Sequence, residues 1–234
     1  MFFPGKYFDP MYLLVALPAL LLGLYAQMKI RSTYGKYLRV ANSASVTGLG
    51  AARHLLDAAR LYDVEIGQTP GELSDHYDPR KKLLKLSPGV ANAPSVASLG
   101  FVAHDIGHAM QDAQGYSPLR LRSAIVPVVN IGTWLGPIVF ILGFVLRAYD
   151  LSLIGVLLFS GAAIFSLITL PVELNASSRA LQLLSNTGMV TQNELKGAKS
   201  VLSAAALTYV AAAAQSISTL LYYVFLLGGI RRRD

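Results

Sequence analysis

The chain has 234 residues, of which 53% are hydrophobic and only 14% charged, and its mean hydropathy is +0.48. These values argue against a soluble domain and place the chain in the membrane class. Because cysteine is absent, disulfides and thiolate metal sites are excluded, and any transition metal has to be bound by histidine and carboxylate groups. The net charge of +7 comes from basic residues beside apolar runs, without a nucleic-acid-reading motif. We therefore expect a lipid bilayer, and no nucleic acid, as the partner of this charge.

Four apolar runs predict four transmembrane helices. The first, residues 11–28, is close to the roughly 20 residues that a bilayer requires. Only Lys6 precedes it, whereas Lys29 and Arg31 follow it, which indicates a retained anchor with the N-terminus outside and not a signal peptide. The other three predicted spans are 123–146, 151–172 and 203–228. The second and third are joined only by "RAYD" and predict a hairpin, while the Ala-rich fourth suits close helix packing and permits a homo-oligomer.

The predicted fold is mainly α-helical and integral to the membrane, with a small α+β domain between spans 1 and 2. In chain order the segments are 1–28 (N-terminal segment and span 1), 29–122 (α+β domain), 123–172 (hairpin of spans 2 and 3), 173–202 (interfacial segment) and 203–234 (span 4 and basic C-terminus). Residues 29–122 hold twelve of the twenty lysines and arginines, so the positive-inside rule predicts that this side faces the cytoplasm. The terminal "RRRD" (231–234) would then lie outside, contrary to the rule.

The α+β domain is predicted from one amphipathic helix and two short strands. In "SVTGLGAARHLLDAARLYD" the expected apolar face consists of Val46, Leu49, Leu56 and Ala59. Strands are predicted at 64–66 and 82–87, and the lysines of "KLLKLS" suit an exposed edge strand, which would pair with a peptide substrate or complete the sheet.

The stretch "SDHYDPRKK" between these strands has two interpretations. An Asp-Pro turn is favoured, with Asp75 and Asp78 accepting hydrogen bonds from backbone amides. Alternatively, His76 or Tyr77 would donate a hydrogen bond to a developing oxyanion.

The stretch "FVAHDIGHAM" (101–110) carries the chain's clearest chemical pattern. It lies in a predicted helix that begins near "NAPS" and ends at Gly115. His104 and His108 are four residues apart, so they share one helix face and can bind one metal ion. They would otherwise be ordinary polar residues, but two imidazoles on so apolar a helix need partners. Asp105 lies beside them, at the position where a zinc peptidase has its general base.

A third ligand is required for a hydrolytic zinc site, and Glu173 is the strongest candidate. It lies at the inner end of span 3, where a carboxylate at membrane depth is costly and suggests function. Whatever the orientation, span 3 returns to the side that carries the His104 helix. The alternative for Glu173 is a pair with Arg179 or a solvated helix end. The other candidate ligands are Glu194, His54 and His76.

Several segments together resemble the YugP-like neutral zinc metallopeptidases of bacterial membranes. They are "LYDVEI", "PGELSDHYDPRKKLLKLS", "SVASLGFVAHDIGHAMQ" and "PVELNASSRA", in that order, and the resemblance covers residues 35–200. It implies a zincin-like domain that binds Zn²⁺ through His104, His108 and Glu173, with Asp105 as the catalytic residue. The family pattern is HExxH, whereas this chain has HDxxH, so the base is one methylene shorter.

The sequence therefore predicts a zinc-dependent metallopeptidase of the plasma membrane, with several spans, a cytoplasm-facing site and a peptide or membrane-protein substrate. One alternative is a metal-binding membrane scaffold or regulator with weak or no catalysis. Another is an HD-type metal phosphohydrolase, in which adjacent His and Asp residues such as His104 and Asp105 both bind the metal.

Overall fold

The computed structural model describes residues 10–231 and is mainly helical, with one small sheet. In chain order its elements are α1 (Pro10–Leu38), α2 (Gly48–Ala58), β1 (Glu65–Gln68), β2 (His76–Asp78), β3 (Leu83–Leu86), α3 (Pro88–Asn92), α4 (Val96–Ala113), α5 (Ser117–Val145), α6 (Tyr149–Thr187) and α7 (Gln192–Arg231). Lys6 and residues 232–234, which enter the charge argument, lie outside the described residues.

Four of the described helices are long and apolar enough to cross a membrane. They contain the segments Leu13–Leu38, Ser117–Val145, Tyr149–Thr187 and Gln192–Gly229. These four candidate membrane helices agree in number and order with the four predicted apolar runs, and the predicted hairpin corresponds to α5 and α6. Helices α6 and α7 are longer than predicted, since α6 continues to Thr187 and α7 already begins at Gln192. The predicted interfacial segment is therefore mostly helical.

The chain divides into two compact units, and the first contains the described residues 10–26, 121–170 and 208–231. Glycines let α5 and α6 approach closely there. A Cβ added to Gly143 would lie 2.4 Å from the Ser152 nitrogen, and one added to Gly155 would lie 2.4 Å from the Phe140 nitrogen. Trp134 is 72% exposed, as expected for a side chain that faces lipid. This small-residue packing is typical of transmembrane helices.

The second unit, residues 27–120 and 171–207, contains the sheet. The strand order is β1–β3–β2, with β1 parallel and β2 antiparallel to β3. The two predicted strands are present, but the prediction of "KLLKLS" as an edge strand is wrong, because β3 is the central strand. It is central because His76–Asp78, assigned above to a turn, forms β2 and pairs with its other side. Alternate side chains of β3, Leu84 and Leu86, are buried in the core of the unit.

Helix α2 is amphipathic as predicted, but part of its predicted apolar face is wrong. Leu49 is 49% exposed, whereas the buried positions are Gly48, Ala51, Ala52, Leu55 and Leu56. The cause is Gly48, at which an added Cβ would lie 2.1 Å from the carbonyl oxygen of Val90. This close backbone contact fixes the rotation of α2 and turns Leu49 outward.

Helix α4 carries the histidine pair and begins and ends as the sequence predicts. The Ser95 side chain caps its first turn by accepting a hydrogen bond from the Ser98 amide. Gly115, with φ of 65°, follows the C-cap residue Gln114. Most of the helix is buried, including Leu99, Val102 and Ile106.

Helix α6 contributes a stripe of fully buried positions to the same unit, spaced four residues apart: Val172, Ala176, Ala180 and Leu184. Helix α4 contacts this stripe where Gly107 faces Ala176. A Cβ added to Gly107 would lie 2.4 Å from the Ala176 carbonyl oxygen. Only glycine therefore permits this separation between the two backbones.

We predict that Gly107→Ala destabilises the protein by about 1–3 kcal/mol, the typical cost of overpacking a core. Since the added methyl group meets backbone, the two helices have to move apart. The measurement is the thermal unfolding midpoint of the detergent-purified protein. Gly100→Ala is the matched control on the same helix, because its Cβ would lie 3.6 Å from Ala198, an ordinary contact. An equal loss of stability in both variants would contradict this account of the contact.

Candidate metal centre

His104, His108 and Glu173 lie together at the contact between α4 and α6. One ligand atom from each of the three side chains lies within 4.8 Å of the others. Glu173 Oε2 is 3.2 Å from His104 Nε2 and 3.4 Å from His108 Nε2. The rings of the two histidines face each other edge to face, with centroids 4.8 Å apart. The structure thus brings together the three residues that the sequence predicted as metal ligands.

The separations fit a tetrahedral zinc ion. Two ligand atoms that each lie 2.0–2.1 Å from such an ion are about 3.3 Å apart, close to both nitrogen–oxygen distances. Two imidazoles and a carboxylate also form a donor set that zinc accepts, and three protein ligands leave a fourth position open. Glu173 is 2% exposed, so its charge needs compensation from its surroundings. The residues present therefore fit zinc.

The outward nitrogens of both imidazoles are also held by hydrogen bonds. His104 Nδ1 is 3.2 Å from Ser177 Oγ, and His108 Nδ1 is 3.0 Å from Gln111 Oε1. Such contacts orient metal-binding histidines so that the other nitrogen points to the ion. Sequence reasoning missed Gln111 and Ser177 as site residues. The available signals were the position of Gln111 one turn after His108 and that of Ser177 within "PVELNASSRA".

Asp105 is buried beside the ligands but is not one of the three groups that converge. It is 5% exposed, and its Oδ2 has no hydrogen-bond partner among the described residues. Burial raises the pKa of its carboxyl well above the usual range, and the charges of Asp75 and Glu173 raise it further. A cation bound at the three ligand atoms would instead stabilise the ionised carboxylate. The unsatisfied oxygen is thus consistent with a cation or a water molecule in the complete site.

The other candidate ligands have different roles. Glu194 accepts hydrogen bonds from Thr191 and from Ser43, and so joins the start of α7 to the segment after α1. His54 is exposed on α2, and His76 contacts the carbonyl oxygen of its neighbour Ser74. None of the three belongs to the ligand cluster. Glu173 also has no ion pair with Arg179 among the described contacts, because Arg179 bonds to Asn175 and Gln114.

Tyr77 contributes to the packing of β2 on α4. Its hydroxyl donates a 2.9 Å hydrogen bond to Asp112 Oδ2, one helical turn after His108. Burial and this bond raise the pKa of Tyr77, so the hydroxyl remains a donor. Asp78 accepts hydrogen bonds from the amides of Arg80 and Lys81, as predicted for the Asp-Pro turn, although the turn begins only after the strand.

Comparison with known proteins identifies the family of the chain. Residues 12–228 match the family model described as "Putative neutral zinc metallopeptidase". The chain is 43% identical over 216 residues to the "Putative membrane protease YugP" of Bacillus subtilis strain 168, an alignment that covers 92% of this chain and 96% of that protein. No solved structure matches the chain. Since the family match extends over most of the sequence, the chain belongs to the neutral zinc metallopeptidase family.

Proposed function

We propose that the protein is a membrane-embedded, zinc-dependent metallopeptidase that hydrolyses peptide bonds. The observation that carries the proposal is the convergence of His104, His108 and Glu173 within 4.8 Å. It occurs in a chain whose family is described as zinc metallopeptidases and whose relative is described as a membrane protease. The donor set matches that of catalytic zinc sites, which keep one position open.

Peptide hydrolysis requires activation of the carbonyl group and of water, and the proposed site assigns these tasks to the metal and to Asp105. Zinc, when bound by the three side chains, supplies a Lewis acid that polarises the peptide carbonyl and makes water more acidic. Asp105 is the general base, which accepts a proton from the attacking water and returns it to the leaving amine. Because aspartate is shorter than glutamate by one carbon–carbon bond of about 1.5 Å, α4 has to hold Asp105 closer or a second water has to bridge the gap.

We predict about one zinc ion per chain in the purified wild-type protein, measured by elemental analysis. His104→Ala and Glu173→Ala should each lose it, because two protein ligands bind zinc far more weakly than three. His54→Ala is the matched control, since His54 is exposed on α2 and outside the cluster. Absence of zinc from the wild type, or zinc retained by Glu173→Ala, would refute the proposed site.

Asp105→Asn should keep the zinc and lower peptide turnover by about 10²–10⁴-fold, the usual contribution of a general base. Asparagine has nearly the same shape but does not accept the proton. Cleavage of a quenched-fluorescence peptide library by protein reconstituted in liposomes measures the effect. Asp105→Glu is the companion variant, because it keeps a carboxylate and should retain both zinc and turnover. Wild-type turnover in Asp105→Asn would remove Asp105 from the mechanism.

The two other functions predict different outcomes of the same assays. A metal-binding scaffold would bind zinc and cleave nothing in any variant. An HD-type phosphohydrolase requires Asp105 as a metal ligand, and its carboxylate is not one of the converging ligand atoms. The geometry therefore favours the peptidase over the phosphohydrolase.

The site is proposed to face the cytoplasm from a plasma membrane that the chain crosses several times, with a peptide or a membrane protein as substrate. Support comes from the four apolar helices and from the concentration of basic residues in 29–122. Lys81 is exposed and lies between the first and second apolar helices, whereas Asp150 is exposed just after the short connection between the second and third. Because one predicted span separates them, the two residues should lie on opposite sides of the membrane.

Because the chain has no cysteine, single-cysteine labelling tests this topology directly. Lys81→Cys in intact cells should resist a membrane-impermeant maleimide and react only after permeabilisation. Asp150→Cys should react in intact cells. The reverse pattern would place the site outside, and equal labelling of both variants would contradict the predicted span order.

A further inference from the structure

A chain of hydrogen bonds connects Arg179 to the candidate ligand His108. Arg179 Nε donates to Asn175 Oδ1 at 2.7 Å, and Gln111 Nε2 donates to the same oxygen at 2.9 Å. Gln111 Nε2 also donates to the Val172 carbonyl oxygen at 2.8 Å. At its other end Gln111 Oε1 is 3.0 Å from His108 Nδ1. The chain thus joins α6, on both sides of Glu173, to the histidine on α4.

The direction of every bond in this chain follows from groups that cannot reverse. A guanidinium only donates, so the Asn175 atom that faces Arg179 has to be the amide oxygen. The Gln111 atom that faces this oxygen and the Val172 carbonyl meets two acceptors and has to be the amide nitrogen. The Gln111 atom that faces His108 is therefore its oxygen, which only accepts. His108 Nδ1 consequently carries the proton.

The proton on His108 Nδ1 determines the state of the other ring nitrogen, Nε2. In a neutral imidazole only one nitrogen is protonated, so His108 Nε2 presents its lone pair. That atom is 3.4 Å from Glu173 Oε2, which also has only lone pairs when ionised. Two lone pairs at this distance repel each other unless a cation, a proton or a metal ion, lies between them. The pair of His108 Nε2 and Glu173 Oε2 is therefore suited to binding a cation between the two atoms.

His104 differs from His108 in this respect. Its Nδ1 contacts the hydroxyl of Ser177 at 3.2 Å, and a hydroxyl both donates and accepts. This contact does not impose a tautomer on His104. The outward nitrogen of His108, by contrast, lies next to an atom whose polarity is fixed.

We infer that Gln111 and Arg179 are positioning residues that hold His108 in its Nδ1–H tautomer and aim its Nε2 lone pair at the metal. The inference rests on the proposed zinc site for its function but not for its geometry. Gln111 is fully buried, and because its amide nitrogen donates to Asn175, its amide oxygen faces His108 Nδ1. Arg179, half-buried and 5.9 Å from the centre of the Tyr116 ring, fixes the orientation of the Asn175 amide.

The first readout is the tautomer of His108 in metal-free, detergent-solubilised Glu173→Ala protein, because in this variant no carboxylate favours a proton on His108 Nε2. Nitrogen-15 NMR of histidine-labelled protein, at alkaline pH where imidazoles are neutral, distinguishes protonated from unprotonated ring nitrogens. The four histidines give few signals, and His108→Asn identifies that of His108. We expect the Nδ1–H tautomer in Glu173→Ala and a mixture of tautomers when Gln111→Leu is added to it. A predominant Nε2–H tautomer in Glu173→Ala would overturn the inference.

The second readout is zinc affinity, measured by competition with a chelator, together with the visible spectrum of the cobalt-substituted protein. Gln111→Leu should bind zinc about 10–100-fold more weakly, the usual effect of losing an orienting partner. Arg179→Met should show a smaller loss in the same direction and an altered cobalt spectrum, and it tests the inference if Gln111→Leu fails to fold. Wild-type affinity in either variant, when folded, would overturn the role of that residue.

Gln114→Ala is the matched control, because Gln114 contacts Arg179 outside the chain of hydrogen bonds to His108. Its Oε1 accepts a 2.6 Å hydrogen bond from Arg179 Nη1. Its removal leaves the Arg179–Asn175 bond intact, so wild-type affinity is expected. A loss as large as that of Arg179→Met would show a merely structural effect and overturn the inference. The tautomer readout needs no zinc, so a wild type without zinc would refute the proposed site while leaving the Nδ1–H assignment to be confirmed or rejected separately.

Discussion

Helices α4 and α6 meet where Gly107 has no side chain, and there the Ala176 carbonyl occupies the space that a methyl group would need. This approach places two histidines from one helix against a glutamate that is 69 residues from His104. Neither helix forms the site alone, since α4 offers two ligands and α6 one. A wider separation would leave Glu173 buried without its imidazole partners, at a cost that buried carboxylates rarely tolerate. The packing of the core and the geometry of the candidate site therefore depend on the same contact.

The same contact carries a second, polar layer. Gln111 is fully buried yet uses both ends of its amide, between His108 on one side and Val172 and Asn175 on the other. Buried polar groups are stable only when their hydrogen bonds are made, so this network adds a polar constraint on the rotation of α4 relative to α6. The result is a largely preorganised set of candidate ligands. A preorganised set reduces the entropic cost of binding an ion.

The sequence predicted those parts of the site that depend on local periodicity. His104 and His108 share a face because of their spacing, and the caps at Ser95 and Gly115 delimit their helix. Glu173 followed from the cost of a carboxylate at membrane depth and from the resemblance to a known family. The outward rotation of Leu49 was not predictable, because it depends on the contact of Gly48 with the distant residue Val90. The central position of β3 was missed because the residues of "SDHYDPRKK" favoured a turn over the strand β2. Gln111 lies one turn after His108, but it was missed because its other partners, Val172 and Asn175, come from α6 and no local pattern records them.

Binding a metal and hydrolysing a peptide require different things of this site. Binding needs only the three converging ligand atoms, and their separations of 3.2 and 3.4 Å already fit. Hydrolysis also needs a base placed to within a fraction of an ångström, and aspartate at position 105 shortens the reach of its carboxylate. That carboxylate is buried, with one oxygen unsatisfied, an arrangement that a protein retains at a cost. The proposed role of Asp105 as the general base would account for this cost, because a base has to be ionisable and has to keep an oxygen free to accept the proton.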